Sequence, residues 1–200
     1  MVLQKIMDDL EKLGTENDQN QSVKSKKYLN ITRDTGEFLF VLVKATGAKK
    51  ILEIGTSNGY STLWLASALP ENGMVYTIEA NPQKVAEASV NFDKAKVNSK
   101  ITQLVGDVSE VLNEVPENVD FIFLDADRKT YTTLAEQLCN LLKNGGLLVC
   151  DNATSHRSEL EEFIAWLNIQ DNLSISLVPV GKGELLVYKG ENSLKEILNA

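Results

Sequence analysis

Acidic side chains recur along this chain where short apolar runs end: Glu53 after Ile51-Leu52, Glu79 after Ile78, Asp107 after Val105-Gly106, Asp125 after Leu124, and Asp151-Asn152 after Cys150. Carboxylates accept hydrogen bonds from hydroxyl and amino groups and hold hard cations. The most informative stretch is Ile51–Tyr60, ILEIGTSNGY, with the spacing Glu53-x-Gly55-x-x-x-Gly59. Glycines supply conformations and clearances that a Cβ would block, so the backbone can pass very close to a ligand. Ligands of open α/β sheets bind at the carboxyl ends of strands, where this loop falls.

The loop lacks the G-x-G-x-x-G spacing of dinucleotide enzymes. A carboxylate at Glu53 facing a pyrophosphate would repel it by on the order of several kcal/mol at low effective dielectric. A cationic ligand suits it better, and S-adenosylmethionine carries a sulfonium and an ammonium and needs no phosphate cradle. Gly55, Thr56, Ser57, Gly59, Tyr60 and Ser61 are the loop residues expected at that cofactor. Glu79, with Ala80 next to it, lies about 20 residues past the glycines, where an acidic group can accept both ribose hydroxyls. Asp107, followed by Val108, is placed to accept from an adenine amino group. The plainer alternative for each acid is a solvated strand end.

The elements that must position these groups follow from periodicity. Val2, Leu3, Ile6, Met7, Leu10 and Leu13 predict a short amphipathic helix ended by Gly14, and Thr15–Lys27 reads as a flexible segment or surface loop. A second helix is predicted over Asp34–Thr46. Strands at Ile51–Ile54, Met74–Ile78, Ile101–Val105, Phe121–Leu124 and Leu147–Cys150 alternate with helices at Tyr60–Leu69, after Asn81-Pro82, at Val108–Val115, at Tyr131–Leu142 and around Leu160–Leu167. Asn144-Gly145-Gly146 is read as the stop of the helix before it. Leu173–Val180 and Glu184–Tyr188 flank Gly181-Lys182-Gly183 as a hairpin. Repeated βα units predict an α/β fold: a Rossmann-like three-layer sandwich with a mostly parallel seven-stranded sheet and an antiparallel C-terminal hairpin. The expected organisation is an N-terminal helix and lid segment over residues 1–33, then one cofactor-binding domain over 34–200.

Bulk composition excludes several classes. The 200 residues carry a formal charge of −8 and no basic stripe, which argues against nucleic-acid partners. No apolar run approaches a bilayer span, and no basic-then-apolar leader pattern opens the chain. Cys139 and Cys150 are isolated among apolar neighbours and read as buried free thiols. A cytoplasmic location is the expectation.

The E-x-G-x-x-x-G motif, followed by an acid closing the second strand, resembles the class I methyltransferases that use S-adenosylmethionine. Asp120–Asn152, DFIFLDADRKTYTTLAEQLCNLLKNGGLLVCDN, with Gly36–Thr46 and Gly59-Tyr60-Ser61, is similar to the cation-dependent O-methyltransferases related to catechol and caffeoyl-CoA O-methyltransferases. The resemblance covers roughly residues 29–189. It implies that Asp125, Asp151 and Asn152 bind a divalent cation, Mg²⁺ or alternatively Ca²⁺ or Mn²⁺, as two carboxylates and an amide carbonyl suit. It implies methyl transfer to a hydroxyl of a small, catechol-like aromatic. Asp125 and Asp127 would also approach the cofactor, as would Asn30 and Ile31 in Leu29-Asn30-Ile31, which stands where catechol-type members have Met-Asn-Val. Members are often dimers, so a homodimer is one implied assembly.

Two departures matter. Members commonly place a lysine base after the Asp-x-Asp or equivalent tripeptide, whereas this chain has Arg128, which cannot take a proton, and Lys129 one position later. Metal activation alone, Lys129 reaching in, and Arg128 holding a substrate carboxylate are the alternatives. After Asn152 the chain reads Ala153-Thr154-Ser155-His156, and His156 is either a general base or a residue of a helix-entry turn. Rival readings are a metal-independent methyltransferase with another acceptor, a cofactor-binding protein without turnover, and, more distantly, a nicotinamide dehydrogenase.

Overall fold

The computed structural model describes residues 2–192 and 197–198. Helix α1 (Val2–Asn20) precedes a single 3-10 turn at Lys24–Lys26 and helix α2 (Arg33–Thr46). Next come β1 (Lys50–Ile54), α3 (Tyr60–Ala68), β2 (Met74–Glu79), α4 (Pro82–Ala95), β3 (Ile101–Val105) and α5 (Val108–Val111). The chain continues through β4 (Val119–Leu124), α6 (Tyr131–Leu141), β5 (Leu142–Cys150), α7 (Arg157–Asn168), β6 (Leu173–Val178) and β7 (Glu184–Lys189). The strands form one sheet in the order β3-β2-β1-β4-β5-β7-β6. The first five strands pair in parallel, and β7 lies antiparallel between β5 and β6. The mixed seven-stranded sandwich is thus the observed fold.

Strand residues alternate between two buried layers, as the twofold period of a pleated strand requires. Ile51, Val75, Phe121, Phe123 and Val149 pack with α1, α2, α3 and α4. Leu52, Ile54, Ile122, Leu124, Leu148 and Cys150 face α6 and α7. Both faces are covered, which is why the central strands read as near-continuous apolar runs.

The structure corrects three local expectations. Gly14 does not end α1. It is buried within the helix, where a Cβ would lie 2.4 Å from Asn30 Nδ2, so the missing side chain admits Asn30 against the helix. Residues 15–20 are helical without an apolar period because the chain after them docks there: Asp18 Oδ1 accepts from Tyr28 N at 2.9 Å and Asn17 Oδ1 at 3.1 Å. Second, Asn144-Gly145-Gly146 lies inside β5 as an irregularity, since pairing with β4 jumps from Val119–Leu142 to Phe121–Leu147. Lys143 Nζ fastens that bulge to Asp120 at 2.5 Å. Third, β6 stops at Val178, so the hairpin turn is longer than Gly181-Lys182-Gly183.

Cys150 is buried, Cys139 half-buried, and both are free thiols. Among the described residues no helix is long and apolar enough to cross a membrane.

Candidate active site

A cleft of about 730 Å³ opens along the carboxyl edge of the sheet. The hydrogen-bond ladder runs one step past each strand and so lines up the strand-end residues: Gly55 N donates to Ile78 O, Gly106 N to Glu79 O, Asp125 N to Ile54 O and Asp151 N to Leu124 O, all at 3.0 Å. Gly55, at φ 108°, passes so close to the neighbouring strand end that a Cβ would sit 2.2 Å from the Asp125 carbonyl oxygen. Ser57 N then donates to Glu79 Oε2 at 2.8 Å, and Asn81 N to Glu79 Oε1 at 2.9 Å. The second strand's terminal carboxylate therefore braces the glycine loop as well as facing the cleft.

Of the residues expected at the site, Asn30, Ile31, Gly55, Thr56, Ser57, Tyr60, Ser61, Glu79, Ala80, Asp107, Val108, Asp125, Asp127, Arg128 and Asn152 line this cleft. Four do not. Glu53 is fully buried beneath the loop because it points to the same sheet face as Ile51, under the first turn of α3. Its carboxylate accepts from Ser61 Oγ at 2.5 Å, from Thr77 Oγ1 at 2.6 Å and from Thr62 Oγ1. Burial pushes its pKa up to about 7, against the opposing pull of these hydroxyls. Gly59 shapes the entry to α3: at φ 86° a Cβ there would lie 2.4 Å from the Phe92 ring. Lys129 is exposed and lies outside the residues that line the cleft. Asp151 is 4% exposed and sits behind Asn152.

Asp125, Asp151 and Asn152 converge at one end. Asn152 Nδ2 donates to Asp151 Oδ2 at 2.6 Å and to Asp125 Oδ1 at 3.4 Å. Its own φ is 66°, and its Oδ1 accepts from Ser155 Oγ at 3.2 Å. Desolvation raises the pKa of Asp125 well above the usual range, and the charge of Asp151 adds to this. Glu184, buried at the start of β7, is pushed up to about 10 by burial and then by Asp151, while Thr35 Oγ1 donates to it at 2.9 Å. Neither Asp125 nor Asp151 has an ion-pair partner among the described residues. Clustered negative charge with a lone amide between the carboxylates is a setting that fits a divalent cation. Ligation would need the amide turned over so that Oδ1 faces the ion. Among the described residues no three His, Cys, Asp or Glu side chains form a metal-binding group, so any cation here uses the amide as well.

Arg128 lines the cleft, but its Nε donates to Glu159 at 3.0 Å and its side chain is only 11% exposed. It ties the turn after β4 to α7. His156 borders the cleft as the residue capping α7, and its Nδ1 is 2.9 Å from Ser155 Oγ. Asp107 Oδ1 accepts from Ser109 N at 2.9 Å, and the Ser109 side chain and backbone hold its pKa down. Trp64 packs edge-on to Tyr60 at 6.3 Å.

Several lining residues carried no sequence signal. Tyr28 covers the loop, its carbonyl accepting from Ser57 Oγ at 2.7 Å. Asn58 also lines the cleft, and its Nδ2, like Oδ1 of the expected Asn30, is buried with no protein partner. Lys182 reaches the site because β7 is antiparallel, which brings the hairpin turn to the carboxyl edge.

Residues 4–189 match the protein family described as O-methyltransferase. Catechol O-methyltransferase of Niastella koreensis is 36% identical over 138 residues, which cover 67% of this chain and 62% of that protein. Caffeoyl-CoA O-methyltransferase 1 of Zea mays is 32% identical over 182 residues, covering 79% of this chain and 70% of the plant protein. The O-methyltransferase TomG of Streptomyces achromogenes, solved in complex with S-adenosylmethionine, superposes with a TM-score of 0.80 at 24% identity over 92% of this chain and 89% of that one, a likeness of fold.

Proposed function

The chain belongs to the O-methyltransferase family, and from that premise we propose that it moves a methyl group from S-adenosylmethionine to a hydroxyl of a small, catechol-like aromatic with the help of a divalent cation. The observation that carries this reading is one cleft with two unlike ends. One end is the glycine loop braced by Glu79, and the other is the Asp125–Asp151–Asn152 cluster. When bound, the cofactor supplies the methyl group, and Mg²⁺, or alternatively Ca²⁺ or Mn²⁺, lowers the pKa of the acceptor hydroxyl.

The protein's part is to bind, orient and exclude water. Glu79 retains lone pairs toward the cleft after bracing the loop, which suits ribose hydroxyls. Asn30 and Asn58 line the cleft, and each has one buried amide atom that no protein group satisfies. The segment through Tyr28 and Ile31 closes one side against solvent. Holding the acceptor oxygen in line with the methyl group is catalysis by proximity. Arg128, fixed to Glu159, cannot take the hydroxyl proton. With Asp125 engaged by the cation, His156 lines that end with a ring nitrogen able to accept it.

The test is a methyl-donor assay over catechols, flavonoids and hydroxycinnamoyl thioesters with Mg²⁺ or with EDTA. We expect turnover with catechols to fall at least about tenfold in EDTA and to return on adding Mg²⁺. Turnover indifferent to EDTA would leave a metal-independent transferase in which the Asn152 amide alone bridges the carboxylates. Cofactor binding without turnover on any acceptor would overturn the enzymatic reading.

A further inference from the structure

We propose that Lys182, in the turn between β6 and β7, anchors a carboxylate on the acceptor, so that the site selects hydroxylated aromatic acids over neutral catechols. The proposal rests on the methyl-transfer reading above and names the acceptor class of that same cleft.

The backbone around Lys182 is pinned on both sides. Gly181 N donates to Asp34 Oδ2 at 3.0 Å, and Gly183 N to Val180 O at 2.8 Å. Ala153 N donates to Gly183 O at 2.7 Å, while Thr154 N and Ser155 N both donate to Lys182 O, at 3.2 and 3.1 Å. The origin of the side chain is thus fixed against the turn that carries Asn152 and His156. The ammonium, by contrast, has no hydrogen bond or ion pair among the described residues, yet Lys182 lines the cleft with Asp125, Asn152 and His156. Its charge reaches Asp125, where it pulls against the upward shift of that carboxyl.

Of the other basic side chains near this end, Arg128 is held by Glu159, Lys129 and Arg157 do not line the cleft, and His156 faces Ser155 through Nδ1. With the divalent cation committed to the acceptor's hydroxyl oxygens, Lys182 is the lysine whose charge reaches this end of the cleft and which has no protein partner among the described residues. A single ammonium, with no uncommitted arginine among the described cleft-lining residues, suits a singly charged carboxylate better than a phosphate, which recruits arginine forks or several backbone amides. Lysines that act as bases are desolvated, whereas Lys182 is exposed, so anchoring rather than proton removal is its role.

The test compares 3,4-dihydroxybenzoate with its methyl ester, which keeps the ring and both hydroxyls but loses the charge. Binding is measured by calorimetry on the full chain with S-adenosylhomocysteine and Mg²⁺, for the wild type, Lys182→Met and Lys182→Arg. The wild type should bind the acid about tenfold more tightly than the ester. Lys182→Met should bring that ratio close to one, and Lys182→Arg should retain most of it. An unchanged ratio in Lys182→Met, or no preference in the wild type, overturns the assignment. Because binding is the readout, the two readings separate. Methylation of the ester with an unaltered ratio sinks only the anchor. Binding of both ligands without methylation sinks the transferase reading while the ratio still decides on Lys182. If neither ligand binds, the anchor falls, and the donor assay over the wider acceptor panel alone decides the transferase reading.

Discussion

Glu53 is a carboxylate with no access to water, surrounded by the hydroxyls of Ser61, Thr62 and Thr77. In the unfolded chain it ionises near 4.5, whereas in the fold burial keeps its proton until about 7. Between those values the folded state binds the extra proton, so stability falls as pH rises. The contribution is fully present below about 4.5 and lost above about 7. The size is on the order of 3 kcal/mol. Asp125 and Glu184 shift in the same direction, so only a difference isolates Glu53. We expect the stability of the wild type minus that of Glu53→Gln, from urea unfolding, to decline by about 3 kcal/mol between pH 4.5 and pH 8. A flat difference would show that the hydroxyls hold Glu53 ionised throughout. The same residue marks a limit of sequence reading. Its place near a strand end was legible, but the face it points to depends on register, and one step along a strand reverses the side. Arg128 was legible as an unusual residue, while its partner Glu159 lies 31 positions away and gave no sign of itself.

At the scale of elements, α1 shows how a glycine inside a helix can serve a neighbour. Alanine is favoured over glycine there by roughly 1 kcal/mol. In Gly14→Ala the new methyl meets Asn30, a cleft-lining residue whose Nδ2 donates to Leu10 O at 3.1 Å and whose Oδ1 is buried and unpaired. The variant should therefore melt within a few degrees of the wild type while binding S-adenosylmethionine about fivefold or more weakly, as calorimetry would register. Equal affinity would separate Asn30 from the cofactor. The strands and the central βα units were readable because Phe121–Leu124 and Leu147–Cys150 are apolar on both faces and are followed by acids, and Ile51–Ile54 is apolar but for Glu53. The extent of α1 was not, since residues 15–20 owe their helix to bonds with Tyr28 and Leu29 rather than to any period of their own. Lys182 was invisible for a related reason: a lysine between glycines reads as a turn, and only the strand order places that turn beside Asn152.

Across the whole molecule, stability is unevenly spread, and the cleft lies on the boundary. The central strands are buried on both sides, whereas the strap over residues 21–32 buries only Ile31 fully. It is held by a few polar tethers: Lys27 Nζ to Asp18 O and Lys84 Nζ to Lys27 O, both at 2.8 Å, Ser57 Oγ to Tyr28 O, and the Asp18 carboxylate to the Tyr28 and Leu29 amides. Segments with few buried apolar contacts open at a small fraction of the global free energy. A ligand that binds only the closed strap stabilises it in proportion to the logarithm of its concentration over Kd. Hydrogen exchange should thus show residues 21–32 exchanging fast without ligand and slowing by about tenfold or more at saturating S-adenosylmethionine. Amides of β1 and β4 should change far less, because their exchange already requires opening of the core. Equal slowing everywhere would mean that the strap and the sheet open as one unit, and residues 21–32 would then not act as a separate lid.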